Sequence, residues 1–114
     1  MLILPIKKKW YDMILSGEKK EEYREMKPYY EKRFSNYFMG ENRLLVGGKK
    51  GSLNEWLLTG VKMQRPVMFR NGYSSQSPSF VANCELHMGT GRPEWGAEPG
   101  KRYYVLKILD IRKE

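Results

Sequence analysis

The chain is poor in the residues that form disulfides and metal sites. Cys84 is its only cysteine and His87 its only histidine. A single cysteine excludes an intrachain disulfide, which is typical of proteins from a reducing compartment. Zinc requires about four ligands, and two neighbouring residues on one strand supply too few. We therefore interpret both as strand residues and expect no metal, no cofactor and no disulfide.

Long hydrophobic runs are also missing. The apolar opening, residues 1–6, contains Pro5 and precedes a basic run. That order is the reverse of a signal peptide, and the stretch is too short to cross a bilayer. We therefore expect a cytoplasmic protein without a membrane partner. A chain of 114 residues further predicts one domain, 1–114, with a single packed core.

Acidic side chains are outnumbered. Twenty-one basic and 13 acidic residues give a formal net charge of +8. This excess favours a polyanionic partner, of which nucleic acid is the most common. The same charge would also serve an anionic small molecule, or solubility alone.

Short strand and helix patterns alternate along the chain. Helical spacing ends at Gly17, resumes at Pro28, and resumes again at the capping box that begins at Ser52. The strand-like segments are residues 1–6, 20–26, 66–73, 80–88 and 102–111. These patterns predict an α+β domain built on a small mixed β-barrel of about five strands, with two or three short helices.

An aromatic stripe lies in the second helix. Tyr30, Phe34, Tyr37 and Phe38 recur at helical spacing. Such a stripe is either a base-stacking platform or a face packed against the sheet, and helical spacing favours packing. The next segment, 39–51, is rich in glycine and lacks the order of a phosphate-binding P-loop. It is expected to be a loop, whose Lys49-Lys50 pair is a candidate contact for a nucleic-acid backbone.

The most informative run is residues 17–24. Gly17, Lys19, Glu22 and Arg24 fit the spacing G-x-K-x-x-E-x-R, where a turn leads into a strand. Because side chains alternate along a strand, Glu22 and Arg24 share one face. Two cations beside a carboxylate can bind a phosphate, a nucleobase edge or an amide being hydrolysed. The alternative is a solvated, charged strand edge.

The segment 14–24 resembles the signature of ASCH domains, which are relatives of the PUA fold. Residues 70–73 are similar to the middle-strand element of that family, and Trp95-Gly96 with residues 103–108 is similar to its closing loop and strand. These elements span nearly the whole chain in the expected order. The resemblance implies a PUA-like β-barrel with helices at its rim. It also implies a cleft beside the signature strand that binds RNA or other nucleic acid.

The resemblance and the chemistry of the side chains together give a candidate site for single-stranded RNA. Arg24 offers a planar fork for phosphate or guanine, and Lys19 a mobile point charge. Glu22 can accept a hydrogen bond from a base amino group, or it can hold Arg24 in place. Aromatic side chains would stack on bases unless they pack in the core, and Tyr23 is a further candidate for such stacking. The expected nucleic-acid-binding residues are Lys19, Glu22, Arg24, Arg70, Tyr73 and Trp95.

Enzymatic activity is left open. In an amidohydrolase branch related to ASCH domains, a signature lysine activates a Thr or Ser and a later Glu completes the set. Lys19 matches the lysine and Glu94 or Glu98 the later Glu, but Glu22 occupies the hydroxyl position and cannot form the same acyl intermediate usefully. A hydrolase acting on a modified nucleoside or RNA through Lys19, Glu22 and Glu98 is therefore an alternative. A further alternative is an adaptor for an acidic protein.

Overall fold

The computed structural model describes residues 1–40 and 51–112. Most of the glycine-rich segment 39–51, including Lys49-Lys50, lies outside the described residues. The strands within the described part are β1 (Leu2–Ile6), β2 (Glu21–Glu25), β3 (Gln64–Asn71), β4 (Ser79–Thr90) and β5 (Arg102–Arg112). Its α-helices are α1 (Lys8–Leu15), α2 (Pro28–Phe34) and α3 (Leu53–Leu58).

The strands form one mixed sheet in the order β1-β3-β4-β5-β2. The β1–β3 pair is parallel and the other pairs are antiparallel. The sheet curls into a half-barrel, with β1 and β2 as its edge strands. The predicted α+β class and five-stranded mixed sheet are therefore confirmed. The barrel, however, is only half formed, because β1 and β2 are not paired with each other.

Side-chain alternation gives the sheet an inner and an outer face. On the inner face, Leu86 of β4 lies opposite Leu106 of β5, and both are fully buried. The core between this face and the helices includes Phe34, whose ring meets the ring of Tyr104 edge-on at 5.4 Å between centroids. Phe34 has no exposed surface. The packing interpretation of the aromatic stripe is thus confirmed at its centre.

The helix ends follow local sequence signals. Gly17 adopts a φ of +86° just after α1, a conformation that costs residues with a Cβ more than glycine. Pro28 occupies the first turn of α2, and the Ser52 hydroxyl accepts a hydrogen bond from the Glu55 N–H at the start of α3. The local signals do not indicate one feature of the helices, which is that α2 continues as a π-helical turn, Ser35–Met39.

A second apolar cluster covers part of the outer face. It consists of Tyr23, Trp95, Ala97, Tyr103 and Val105, and it joins β2 and β5 to the loop that connects β4 with β5. That loop contains a short 3₁₀ turn, Pro93–Trp95. Within residues 1–40 and 51–112, no helix combines the length and the apolar character needed to span a membrane.

Candidate functional site

The candidate site lies along the seam between the two edge strands. The carbonyl oxygens of Ile3 and Pro5 on β1 accept hydrogen bonds from Arg33 Nη2 at 3.0 Å and from Arg24 Nη2 at 2.9 Å. Proline lacks an N–H and is therefore tolerated in an edge strand. Arginine side chains thus occupy the edge of β1 where a sixth strand would otherwise pair.

Glu22 is held between two cations at the base of this seam. Its Oε1 lies 3.1 Å from Lys19 Nζ, and its Oε2 lies 2.7 Å from Arg24 Nη2 and 3.2 Å from Arg24 Nε. The side chains of Lys19, Glu22 and Arg24 are 1%, 7% and 12% exposed. The motif is therefore a buried ion-pair chain, and the alternative of a solvated strand edge is wrong.

Lys19 is the deepest member of that chain. Its Nζ also donates to the carbonyl oxygen of Trp95, and it lies 4.4 Å from the ring centroid of Trp10 and 5.2 Å from that of Tyr23. Burial lowers the pKa of Lys19, while the Glu22 carboxylate acts in the opposite direction. Lys19 therefore ties the β4–β5 loop to β2 and is not a mobile charge at the mouth of the cleft.

Arg24 connects the buried chain to the surface. Its Nη1 donates to the Tyr30 hydroxyl at 3.3 Å, and its guanidinium carbon lies 5.7 Å from the Tyr30 ring centroid. Burial disfavours the charged guanidinium, but Glu22 and the Tyr30 hydroxyl outweigh it, so the pKa of Arg24 lies above its ordinary value. Arg24 is thus a fixed cation in the wall of the cleft.

The cleft has two lobes that share Pro5, Arg24 and Tyr73. The larger lobe has a volume of about 700 Å³ and the smaller one about 430 Å³, sizes typical of small-molecule sites. The polar and aromatic side chains that line the larger lobe include Lys27, Tyr29, Tyr30 and Arg33. Those in the smaller lobe are Lys7, Trp10, Glu22 and Asn71.

The structure brings Lys19, Glu22, Arg24 and Tyr73 of the predicted set to this region. Tyr73 is 90% exposed at the junction of the two lobes. Lys19 lies behind Glu22 and does not line either lobe. Three predicted site residues, Arg70, Trp95 and Glu98, lie elsewhere.

Two of these three lie away from the cleft for different reasons: Arg70 because of side-chain alternation in the sheet, and Trp95 because of packing. Arg70 follows the buried Phe69 and so points to the outer face, where its Nη2 lies 3.9 Å from Met68 Sδ. Trp95 is 9% exposed, and the guanidinium carbon of Arg92 lies 4.8 Å from its ring centroid. Trp95 therefore contributes its carbonyl oxygen to Lys19 and not a stacking surface.

Glu98, the third, is the catalytic carboxylate that the alternative of a hydrolase requires. Its side chain is exposed, and within the described residues it makes no ion pair or hydrogen bond with Lys19 or Glu22. The set Lys19, Glu22 and Glu98 is therefore not assembled in this structure. Only the pair Lys19 and Glu22 is in contact.

Sequence reasoning missed most of the cleft wall. No sequence pattern singled out Trp10, Lys27, Tyr29 or Arg33, and only folding brings α1 and α2 to the same cleft. A usable signal was the run of cations and tyrosines around Pro28.

Comparison of the chain with protein-family models, curated proteins and solved structures gives no match.

Proposed function

We propose that the protein is an ASCH-like, PUA-like module that binds single-stranded RNA in the cleft between β1 and β2. The observation that supports this most is the lining of the cleft. Lys7, Arg24, Lys27 and Arg33 border it, while Glu22, the one carboxylate among the described residues that line it, is already paired with two cations. A cleft with this excess of positive charge attracts the phosphates of a nucleic-acid backbone.

Aromatic surface at the same place supports the single-stranded form. Tyr73 is 90% exposed and Tyr29 is 56% exposed, and both line the larger lobe. Exposed rings beside cations are the usual platform on which unpaired bases stack. Arg33 donates to the Tyr29 hydroxyl at 2.8 Å, so that this ring is held in place before a ligand arrives.

A hydrolase has less geometric support than a binding module. Lys19 lies behind Glu22, its amine donates to the Trp95 carbonyl, and Glu98 is not in contact with either residue. A general base must come within hydrogen-bond reach of the proton that it removes. A hydrolase acting on RNA would cleave it, so the integrity of the RNA is measured together with binding.

The proposal is tested by fluorescence anisotropy with a labelled single-stranded RNA and the full chain. We expect Tyr73→Ala to weaken binding about tenfold through lost stacking, and Lys27→Ala to weaken it severalfold through a lost phosphate contact. Neither change should alter the melting curve, because both side chains are exposed.

Two matched variants serve as controls. Leu58→Ala removes a side chain that is 74% exposed on α3, and Lys107→Ala removes an exposed cation on β5, opposite the outer-face residue Glu85. Both should bind RNA like the wild type. Equal affinity of all four variants and the wild type would move the site away from the cleft, and no binding by the wild type would refute the proposal. Cleaved RNA on a gel would favour the hydrolase.

A further inference from the structure

The two lobes of the cleft differ in polar character. The larger lobe carries cations and tyrosine hydroxyls from Lys27, Arg33, Tyr29 and Tyr30. The smaller lobe contains the carboxylate of Glu22, the only one that lines the cleft in the described part of the chain, together with the amide of Asn71. The smaller lobe also has the cations Lys7 and Arg24, but its carboxylate repels a phosphate, so that a phosphate fits the larger lobe better.

Glu22 has one acceptor position left for a ligand. An ionised carboxylate offers about four. Lys19 uses one on Oε1, and the two contacts from Arg24 use those on Oε2. The remaining position is on Oε1. The carboxylate is held rigidly by both cations, so that a ligand N–H would meet a fixed, charged acceptor.

Asn71 supplies a second, adaptable polar group. Its backbone N–H donates to the Pro78 carbonyl oxygen at 2.8 Å, but its side-chain amide makes no hydrogen bond within the described residues. An amide can donate or accept according to the ligand. Trp10 and Tyr73 border the same lobe and provide flat aromatic surface. The matching ligand is therefore planar and has an N–H beside a second polar atom on one edge.

We propose that the smaller lobe binds one unpaired nucleobase by its Watson–Crick edge, with a base N–H donating to Glu22 and the Asn71 amide completing the contact. The larger lobe then holds the neighbouring phosphate through Lys27 and Arg33. This inference rests on the proposed function and names what that site reads. All four RNA bases carry an N–H donor on this edge, and base pairing in a duplex consumes it. The site thus tolerates any base but requires it to be unpaired and unmodified on that edge.

Two RNA oligomers of equal length and composition test the inference with the unmodified protein. One contains 5-methyluridine, which keeps the N3–H. The other contains N3-methyluridine, which carries the same extra methyl group but lacks the only Watson–Crick donor of uracil. We expect the N3-methyluridine oligomer to bind about tenfold more weakly or worse, as for a lost hydrogen bond to a charged acceptor.

Variants of two asparagines locate the effect. Asn71→Ala should weaken binding of the 5-methyluridine oligomer and reduce the difference between the two oligomers. The Asn83 amide donates a hydrogen bond to Asp110 at 2.7 Å on the β4–β5 pair. Asn83→Ala should therefore change neither the affinity nor the difference between the two oligomers. Equal binding of the two oligomers by the wild type would overturn the edge-reading inference while leaving RNA binding in place. No binding of either would refute the proposed function itself.

Discussion

Lys19 shows how burial changes the role of a residue. From the sequence it was expected to be a flexible cation in a turn, yet its side chain is 1% exposed and contacts Glu22, Trp10 and the carbonyl oxygen of Trp95. A buried charge is tolerated only when it is paired and hydrogen-bonded. The spacing between Lys19 and Glu22 was visible in the sequence, but the Trp95 carbonyl is 76 residues away along the chain, and only folding brings it there.

The environment of Lys19 predicts a dependence of stability on pH. Burial lowers the pKa of Lys19 in the folded protein below the ordinary value of 10.5. At pH values between the folded pKa and 10.5, the unfolded chain therefore binds more protons at this residue than the folded chain. The free energy of unfolding rises with pH wherever the unfolded state binds more protons. Relative to Lys19→Met, the wild type should therefore gain stability as the pH is raised from neutral towards about 10.

Urea unfolding of both proteins across this pH range measures the effect. The raised pKa values of Tyr23 and Tyr104, which burial causes, act in both proteins and cancel in the difference. A constant difference in stability between wild type and variant at every pH would contradict the prediction.

At the scale of elements, the seam between β1 and β2 is closed by side chains in place of backbone pairing. Arg24 reaches from β2 to the Pro5 carbonyl on β1, and Arg33 reaches from α2 to the Ile3 carbonyl. The strands themselves were predictable, because alternation and turn residues mark each of them. Their order in the sheet was not, because the partner of each strand is distant in sequence.

Arg24→Lys tests this role of Arg24. Lysine keeps the charge but cannot contact Glu22, Pro5 and Tyr30 at once, because it lacks the planar fork. We expect a loss of about 2–4 kcal/mol in the free energy of unfolding, from several charged hydrogen bonds. The variant should also increase the rate of amide hydrogen exchange more in β1 than in β4.

Arg65→Lys is the matched control. Arg65 is exposed and donates to the Tyr37 carbonyl at 2.9 Å, away from the seam. Its replacement should change stability by no more than about 0.5 kcal/mol. If both lysine variants lose the same stability, Arg24 does not fasten the seam.

At the scale of the whole molecule, the net charge of +8 becomes meaningful only through its distribution. Lys7, Lys27 and Arg33 meet at the cleft from segments that are apart in the sequence. The net charge alone indicates a polyanionic partner, but it does not indicate which surface carries these cations. The same fold carries Arg70 to the outer face, although it was expected among the site residues.

This distribution predicts a moderate dependence of RNA binding on salt. If Lys27 and Arg33 hold one phosphate and Lys7 contacts a second, the logarithm of the binding constant should fall with the logarithm of the salt concentration with a slope of about −1.4 for a single strand. Anisotropy titrations over a salt series give this slope. Lys27→Ala should make it shallower, whereas Lys107→Ala should not. A slope near zero would mean that phosphates are not the contacts.

The sequence by itself determined the helices and strands and the G-x-K-x-x-E-x-R spacing. Local signals at Gly17, Pro28 and Ser52 set the helix ends, and the spacing of Lys19, Glu22 and Arg24 fixed which charges would meet. These features depend on neighbours within a few residues, so that local physical chemistry is enough to specify them. The tertiary structure alone decided how the sheet curls and which helix faces line the seam. It also decided that Lys19 is buried while Tyr73 is exposed, because contacts between distant segments set the burial of each side chain.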